Sequence, residues 1–182
     1  MIKKILVNYA SEHMDMDQVD LGLLSYGYDV MIHNLIVPGS VLLIGWLFRN
    51  FADTCVYVAV LCFLRTHTGG WHAKTKLRCL IAYHLLYLCF LIYMKIPVSD
   101  PPIMFLMFCA CAWSASNAPV IHPHLPLTEK EIRKNRKIAI AGFVILMAVC
   151  LLNHEYVKVI SGAVFINCFL MVLLKLQNGG LL

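Results

Sequence analysis

Residues 65–79 read RTHTGGWHAKTKLRC, a polar and basic stretch that lies between two strongly apolar segments and ends in a cysteine. Apolar segments of helix length on both sides of a short basic stretch are typical of a chain that crosses a membrane several times. Within the stretch, the Cys79 thiol is near His72 and among cationic side chains that include Arg65. Such surroundings favour a thiolate and can activate it as a nucleophile. The sequence therefore predicts cysteine chemistry at a membrane boundary.

Composition agrees with a membrane location. Of the 182 residues, 60% are hydrophobic and 14% are charged, and the mean hydropathy is +0.75. A soluble domain has roughly 45–50% apolar and about 25% charged residues. Since a span needs about 20 residues, we expect an all-α polytopic membrane protein with about six short transmembrane helices, forming a single domain over residues 1–182.

The apolar segments give the approximate bounds of these spans. They cover residues 30–48, 51–64, 79–94, 103–116, 138–152 and 157–174. Residues 1–28 instead mix apolar and acidic residues at helical spacing, which predicts an N-terminal amphipathic helix on the membrane surface. That helix would either anchor the protein or help to receive an amphipathic substrate. Small residues such as Gly162 and Ala163, expected on the surface of the last span, are compatible with a homodimer.

Lys and Arg are distributed unevenly along the chain. Twelve of the fifteen fall in the N-terminal segment, in the stretch 65–79, in a second polar loop over 117–137, or after the last span. Cytoplasmic segments retain such residues, so we expect both loops and both termini in the cytoplasm. In the second loop, Thr128 and Glu131 have the spacing of a capping box, which predicts a helix start at the membrane surface.

Other functions fit the sequence less well. The net charge of +5 is divided among loops and carries no interleaved aromatic residues, so no nucleic-acid partner is expected. Seven of the eight cysteines lie in apolar runs, where cysteine packs as a small hydrophobic residue. The pair Cys109 and Cys111 has no second ligand pair at metal spacing nearby. No metal site and no cofactor are predicted.

Five positions of the basic stretch resemble the signature of the AgrB (accessory gene regulator B) family of membrane peptidases. They are Arg65, Gly69, Gly70, His72 and Cys79. The resemblance implies a cysteine endopeptidase of the bacterial plasma membrane, with Cys79 and His72 as the catalytic pair. It also implies an AgrD-like propeptide as substrate and a cyclic thiolactone autoinducing peptide for quorum sensing as product.

Further roles follow from this interpretation. We assign Arg65 to the catalytic group and expect Gly69, Gly70, Asn117, Lys130 and Arg133 to contribute to substrate binding. Membrane lipid is a further expected partner, in contact with the basic run 130–137. The backbone amides near the start of the third span, including that of Cys79, are candidate oxyanion donors, with Arg65 as the alternative.

The spacing of His72 and Cys79 restricts the local structure. On one continuous helix they would share a face but lie about 10.5 Å apart along the axis, whereas a general base must lie within about 2.6–3.2 Å of the nucleophile or one water away. We therefore expect the backbone to break between them, near 74–75. His67 is an alternative base.

Three residues are candidates to orient His72. They are Asn117, Ser116 and Asp29.

Two other functions remain open from sequence alone. A small polytopic peptide exporter without peptidase activity is the main alternative, although the predicted spans contain almost no charge and no recognisable inverted repeat. A non-catalytic membrane scaffold is the other. A substitution of Cys79 distinguishes the peptidase from both alternatives, because only the peptidase requires the Cys79 thiol.

Overall fold

The computed structural model describes Tyr9 and residues 18–71, 75–120 and 127–179 of the chain. The described residues form six α-helices and contain no strand, so the predicted all-α fold is confirmed. The helices are α1 (Gln18–Leu47), α2 (Phe51–Thr68), α3 (Lys76–Lys95), α4 (Asp100–Asn117), α5 (Glu129–Leu152) and α6 (Val157–Asn178), with a 3-10 turn at His154–Tyr156.

Three stretches are long and apolar enough to cross a membrane. They are Leu77–Lys95, Glu129–Leu152 and His154–Asn178. A shorter apolar stretch, Leu35–Leu47, belongs to α1. These stretches and the all-helical fold are consistent with a membrane protein.

Local sequence signals explain where several helices begin. Thr75 caps α3, since its hydroxyl accepts a hydrogen bond from the amide of Arg78. Thr128 and Glu131 form the predicted capping box at the start of α5. In such a box the two side chains satisfy two amides that the first helical turn leaves without partners.

Helix α1 differs from the expected division of the N-terminal region. Residues 18–28 continue directly into the first predicted span, and the helix passes through Pro38. A proline inside a helix removes one backbone donor, a loss that neighbouring groups can offset in a membrane protein. The remainder of the predicted amphipathic helix, apart from Tyr9, lies outside the described residues.

The chain contacts divide into two compact units, Met1–Ser40 and Val41–Leu182. In the first unit, the described structure is Tyr9 and the α1 residues up to Ser40. In the second unit, α6 is the central helix and packs against α2, α3 and α4, while α5 packs against α2 and α4.

Aromatic residues fill the contact between α2 and α3. The rings of Tyr57 and Phe90 stack with centroids 4.3 Å apart, and Tyr87 lies 5.6 Å from Tyr57. The Tyr87 hydroxyl is 2.6 Å from Oγ1 of Thr54, which is itself fully buried. A buried hydroxyl needs such a partner because an unpaired one is costly away from water.

The helices of the second unit begin and finish at two opposite ends of that unit. At one end α2, α4 and α6 finish and α3 and α5 begin. There the amide of Val120 donates to the carbonyl of Thr68 at 2.9 Å, and Arg136 donates to the carbonyl of Ser116 at 3.4 Å. We call this the basic end. At the opposite end, Lys158 donates to the carbonyl of Ile96 at 2.9 Å.

The packing of α6 corrects one expectation. Gly162 and Ala163 are buried and not on the surface. A methyl group added to Gly162 would come within 2.8 Å of the Phe90 ring, so this glycine allows α3 and α6 to approach closely. The proposed small-residue surface is therefore an internal contact, and it gives no support to a homodimer.

The cysteines outside the basic stretch differ in their surroundings. Cys111 and Cys150 are buried in the helical core, as expected of packing residues. Cys62, Cys89 and Cys109 are exposed on helix surfaces. Many large apolar side chains are exposed on the same helices, for example Leu85 and Phe108. Exposed apolar surface of this extent is expected where lipid is the solvent.

Candidate active site

Cys79 lies in the first turn of α3 at the basic end, and its side chain is 4% exposed. Thr75 adopts an extended backbone, with φ −130° and ψ 147°, immediately before the helix. The backbone thus breaks between His72 and Cys79, as the spacing of the two residues predicted. The start of a helix carries a partial positive charge, which stabilises an anion such as a thiolate.

The amide of Cys79 is already used within the helix. It donates to the carbonyl of Thr75 at 3.0 Å, and the amide of Arg78 donates to the Thr75 hydroxyl at 3.3 Å. In this conformation the Cys79 amide has no free proton for an oxyanion, contrary to one of the two expectations. The amides of Lys76 and Leu77 come earlier in the turn, where no carbonyl of the helix lies within reach.

Arg65 occupies the last turn of α2, and two contacts hold its guanidinium. Its Nη2 donates to the carbonyl of Trp71 at 3.2 Å. Its guanidinium lies over the ring of Tyr83, with Cζ 5.1 Å from the centroid. A methyl group on Gly70 would come within 2.9 Å of Nη1, so the absence of a side chain there makes room for the guanidinium.

Tyr83 connects Arg65 to the turn that carries Cys79. It is four residues beyond Cys79 on α3, and residues with this spacing are neighbours on one face of a helix. The stacked guanidinium therefore lies on the Cys79 side of α3. A delocalised cation over an aromatic ring keeps its charge while its orientation is restricted.

Gly69 and Gly70 connect α2 to the residues that precede His72. Gly69 has φ 75° and ψ −170°, a region that only glycine adopts readily. A methyl group there would lie 2.4 Å from the carbonyl oxygen of Val120. The next residue, Trp71, donates its amide to the carbonyl of Leu170 on α6 at 3.0 Å. Gly69 is therefore required by both backbone conformation and close packing.

Of the two candidate bases, the structure describes His67. His72 lies outside the described residues. For His67, Nδ1 is 3.2 Å from Oδ1 of Asn135 on α5. Arg65 and His67 are two residues apart on a helix and so point about 200° apart. Since Arg65 faces α3, His67 is turned away from Cys79.

The similarity of this chain to known proteins extends over nearly its whole length. The family model for accessory gene regulator B matches residues 2–175. The chain belongs to the AgrB family. It is similar to AgrB-like protein 1 of Clostridium perfringens (strain 13 / Type A), with 24% identity over 151 residues that cover 82% of this chain and 81% of that protein.

A second relative is protein FsrB of Enterococcus faecalis (strain ATCC 47077 / OG1RF). The identity is 28% over 137 residues, which cover 70% of this chain and 57% of that protein. No solved structure matches the chain. Membership of the AgrB family supports involvement in quorum-sensing peptide processing.

The substrate-binding candidates of this AgrB-family chain lie at the basic end but not in one cluster. Asn117, at the end of α4, donates to the carbonyl of Trp113 at 2.7 Å and accepts a hydrogen bond from Lys175 of α6. Lys130 and Arg133 are exposed in the first turns of α5. Arg133 pairs with Glu129 at 3.8 Å, and both side chains are solvent-accessible.

The candidates for orienting His72 receive little support from this geometry. The Ser116 hydroxyl donates to the carbonyl of Ala112 at 2.8 Å. Asn117 is engaged by Trp113 and Lys175. The side chain of Asp29 lies outside the described part of the chain.

Metal ligation receives no support from the residues whose positions are known. Among the side chains that the structure describes, no group of three His, Cys, Asp or Glu could hold a metal ion.

Three residues near the AgrB signature were not predicted from sequence. Tyr83 stacks with Arg65, and Thr68 and Asn167 are fully buried beside Gly69. The spacing of four residues from Cys79 could have indicated Tyr83. Asn167 is a polar residue in the apolar run of the last span, and a polar residue within a membrane helix is itself a functional signal.

Proposed function

We propose that this chain is an integral membrane cysteine endopeptidase that cleaves an AgrD-like propeptide and leads to a cyclic thiolactone peptide for quorum sensing. One observation carries the proposal. Cys79 is at the positive start of α3, on the helix face where Tyr83 holds the Arg65 guanidinium. Membership of the AgrB family supplies the substrate class.

In the first step, His72 accepts the proton of the Cys79 thiol. The thiolate attacks the scissile carbonyl of the propeptide, and the carbon–nitrogen bond breaks as the C-terminal fragment leaves with the proton from His72. A thioester joins the N-terminal fragment to Cys79. Arg65 is the proposed oxyanion partner, because a fixed cation near the reacting carbonyl stabilises the developing negative charge.

In the second step, a thiol of the bound propeptide fragment attacks the thioester carbonyl. The new thioester closes the thiolactone ring, and the bond to Cys79 breaks as its thiol is restored. One thioester replaces another, so the acyl group stays activated throughout. Holding the attacking thiol close to the acyl group gives a high effective concentration, and excluding water limits hydrolysis.

The remaining assignments concern placement of the substrate. Gly69 and Gly70 provide a backbone surface without side chains beside Arg65. Asn117, Lys130 and Arg133 offer an amide and two cations at the basic end. We assign them to contacts with a polar or acidic part of the propeptide.

The basic end is proposed to face the cytoplasm, with both termini on that side. The positive-inside bias of the sequence supports this orientation. The exposed cations of α5 would then meet the anionic lipid of the inner leaflet. A ribosomally made propeptide would reach Cys79 before export.

Mass spectrometry of cells that co-express the protein with a candidate propeptide encoded beside its gene tests the proposal. Wild type should release the C-terminal fragment, whereas Cys79→Ala and His72→Ala should not. Cys111→Ala is the matched control, since that thiol is 5% exposed against 4% for Cys79 but lies on α4. Trapping an acyl adduct on Cys79 would identify the nucleophile, and cleavage by Cys79→Ala would favour the exporter.

A further inference from the structure

Asn167 is a fully buried amide in the central helix α6. Its Oδ1 is 3.1 Å from the hydroxyl of Thr68, the last residue of α2. Its Nδ2 is 3.5 Å from the sulfur of Met171, one turn further along α6. Both ends of the amide therefore have partners.

The buried hydrogen bond between Thr68 and Asn167 joins two helices. A polar side chain inside an apolar helix costs free energy unless it is hydrogen-bonded. Hydrogen bonds between membrane helices define how two helices fit together, because lipid provides no hydrophobic drive for their association. The contact between Thr68 and Asn167 thus fixes the end of α2 against α6.

The end of α2 is also where the chain leaves the helix toward His72. The Thr68 hydroxyl is 2.9 Å from the carbonyl of Leu64 and 3.2 Å from that of Gly69, so its one proton is shared among nearby acceptors. The Thr68 carbonyl accepts the amide of Val120 at 2.9 Å. Thr68 therefore contacts α6, the glycine pair and the start of the second connection.

Helix α6 makes a second contact with the same connection. The carbonyl of Leu170, three residues beyond Asn167, accepts the amide of Trp71 at 3.0 Å. Trp71 is followed directly by His72 in the chain. Asn167 and Leu170, one helical turn apart on α6, thus contact the two ends of the segment from Thr68 to Trp71.

We propose that Thr68 and Asn167 are positioning residues for the proposed peptidase. Through their buried contact they hold the glycine segment that precedes His72 in the sequence, without touching the substrate. This inference rests on the proposed function. A loosened segment lowers the probability that base and nucleophile meet, while Lys130 and Arg133, the cations assigned to propeptide binding, stay in place on α5.

Purified protein in liposomes, assayed with the synthetic candidate propeptide, tests the inference through kcat and KM. Thr68→Val removes the hydroxyl at nearly constant volume, and Asn167→Leu removes the amide. Each should lower kcat by about tenfold or more, because small misplacements of reacting groups have large effects on rate. KM should change less than kcat, since Lys130 and Arg133, the cations assigned to propeptide binding, lie on α5 and are not altered. Thr68→Ser keeps the hydroxyl and should retain kcat.

Ser161→Ala is the matched control. Ser161 is also fully buried on α6, and its hydroxyl is 2.8 Å from that of Tyr93 on α3, near the opposite end. This variant loses a comparable buried contact and should retain kcat. An equal fall of kcat in Ser161→Ala, or a wild-type kcat in Thr68→Val, overturns the positioning role.

The remaining outcomes are also decisive. Should Thr68→Val not accumulate in the membrane, Thr68→Ala takes its place. If neither accumulates while Ser161→Ala does, the pair is structural and the inference is wrong. Failure of the proposed function has a different signature, namely propeptide cleavage by Cys79→Ala.

Discussion

Replacing Gly69 with alanine tests how strongly the candidate site depends on its glycine connection. The backbone of Gly69 has φ 75° and ψ −170°, and a residue with a side chain in this region costs about 1–3 kcal/mol. The added methyl group would also lie 2.4 Å from the carbonyl oxygen of Val120. That oxygen belongs to backbone, which cannot rotate away as a side chain would.

A shift of Val120 would weaken or break the hydrogen bond that its amide donates to the Thr68 carbonyl. Such a hydrogen bond contributes about 0.5–1.5 kcal/mol. Together the two effects amount to about 1.5–4.5 kcal/mol. Undocking the segment relieves this strain more easily than unfolding the helices. If the reaction requires the docked segment, the rate of propeptide cleavage should fall by between about 10-fold and about 2000-fold.

The assay compares cleavage rates at equal amounts of protein in the membrane. Gly39→Ala is the control for the substitution itself, because a methyl group there meets none of the described atoms within 4 Å. Gly70→Ala should have a smaller effect than Gly69→Ala, since its methyl group would contact the end of the flexible Arg65 side chain at 2.9 Å. A Gly69→Ala rate within about threefold of wild type would refute the reasoning, because a threefold change corresponds to about 0.7 kcal/mol, which is well below the strain expected from the added methyl group.

Three further substitutions test other parts of the structure. Tyr83→Leu removes the ring beneath Arg65 and should slow cleavage by about 2- to 30-fold, given about 0.5–2 kcal/mol for such a contact. Tyr83→Phe keeps the ring and should cleave at a nearly normal rate. An equal loss of rate in both variants would contradict a role for the ring. His67→Gln should cleave within about twofold of wild type, because His67 hydrogen-bonds to Asn135 and a general base would be worth at least about 100-fold. Thr128→Ala removes the N-cap of α5 and should lower the midpoint of thermal unfolding in detergent by roughly 2–4 °C. The cleavage rate per molecule should not change. An unchanged midpoint would show that the cap does not limit stability.

The features that sequence predicted are those decided by neighbouring residues. The spacing of Thr128 and Glu131 is sufficient to specify a capping box, and the box is present. The break before Cys79 followed from the distance that seven residues span on a helix, and Thr75 is extended there. Composition alone predicted the all-α fold, because only helices and closed barrels satisfy every backbone polar group in lipid.

The features that sequence did not predict depend on which face of an apolar helix meets protein. In the middle of α6 most residues are apolar on every face, so hydrophobic periodicity gives little indication of which face meets protein. Gly162 was expected on the surface and is packed against Phe90. The stacking of Tyr83 with Arg65 likewise joins segments that are eighteen positions apart in the sequence, and no local pattern marks that pairing.

The polar contacts of α6 show why the candidate site depends on a helix that carries none of its proposed catalytic residues. Asn167 and Leu170 meet the segment before His72, whereas Ser161 meets Tyr93 toward the opposite end. Shifting α6 by one residue would move each of these groups by about 1.5 Å along the axis and turn it by about 100°. All three contacts would then be lost together. The buried polar groups of α6 therefore select one register, and the position of the glycine segment beside Arg65 follows from that register.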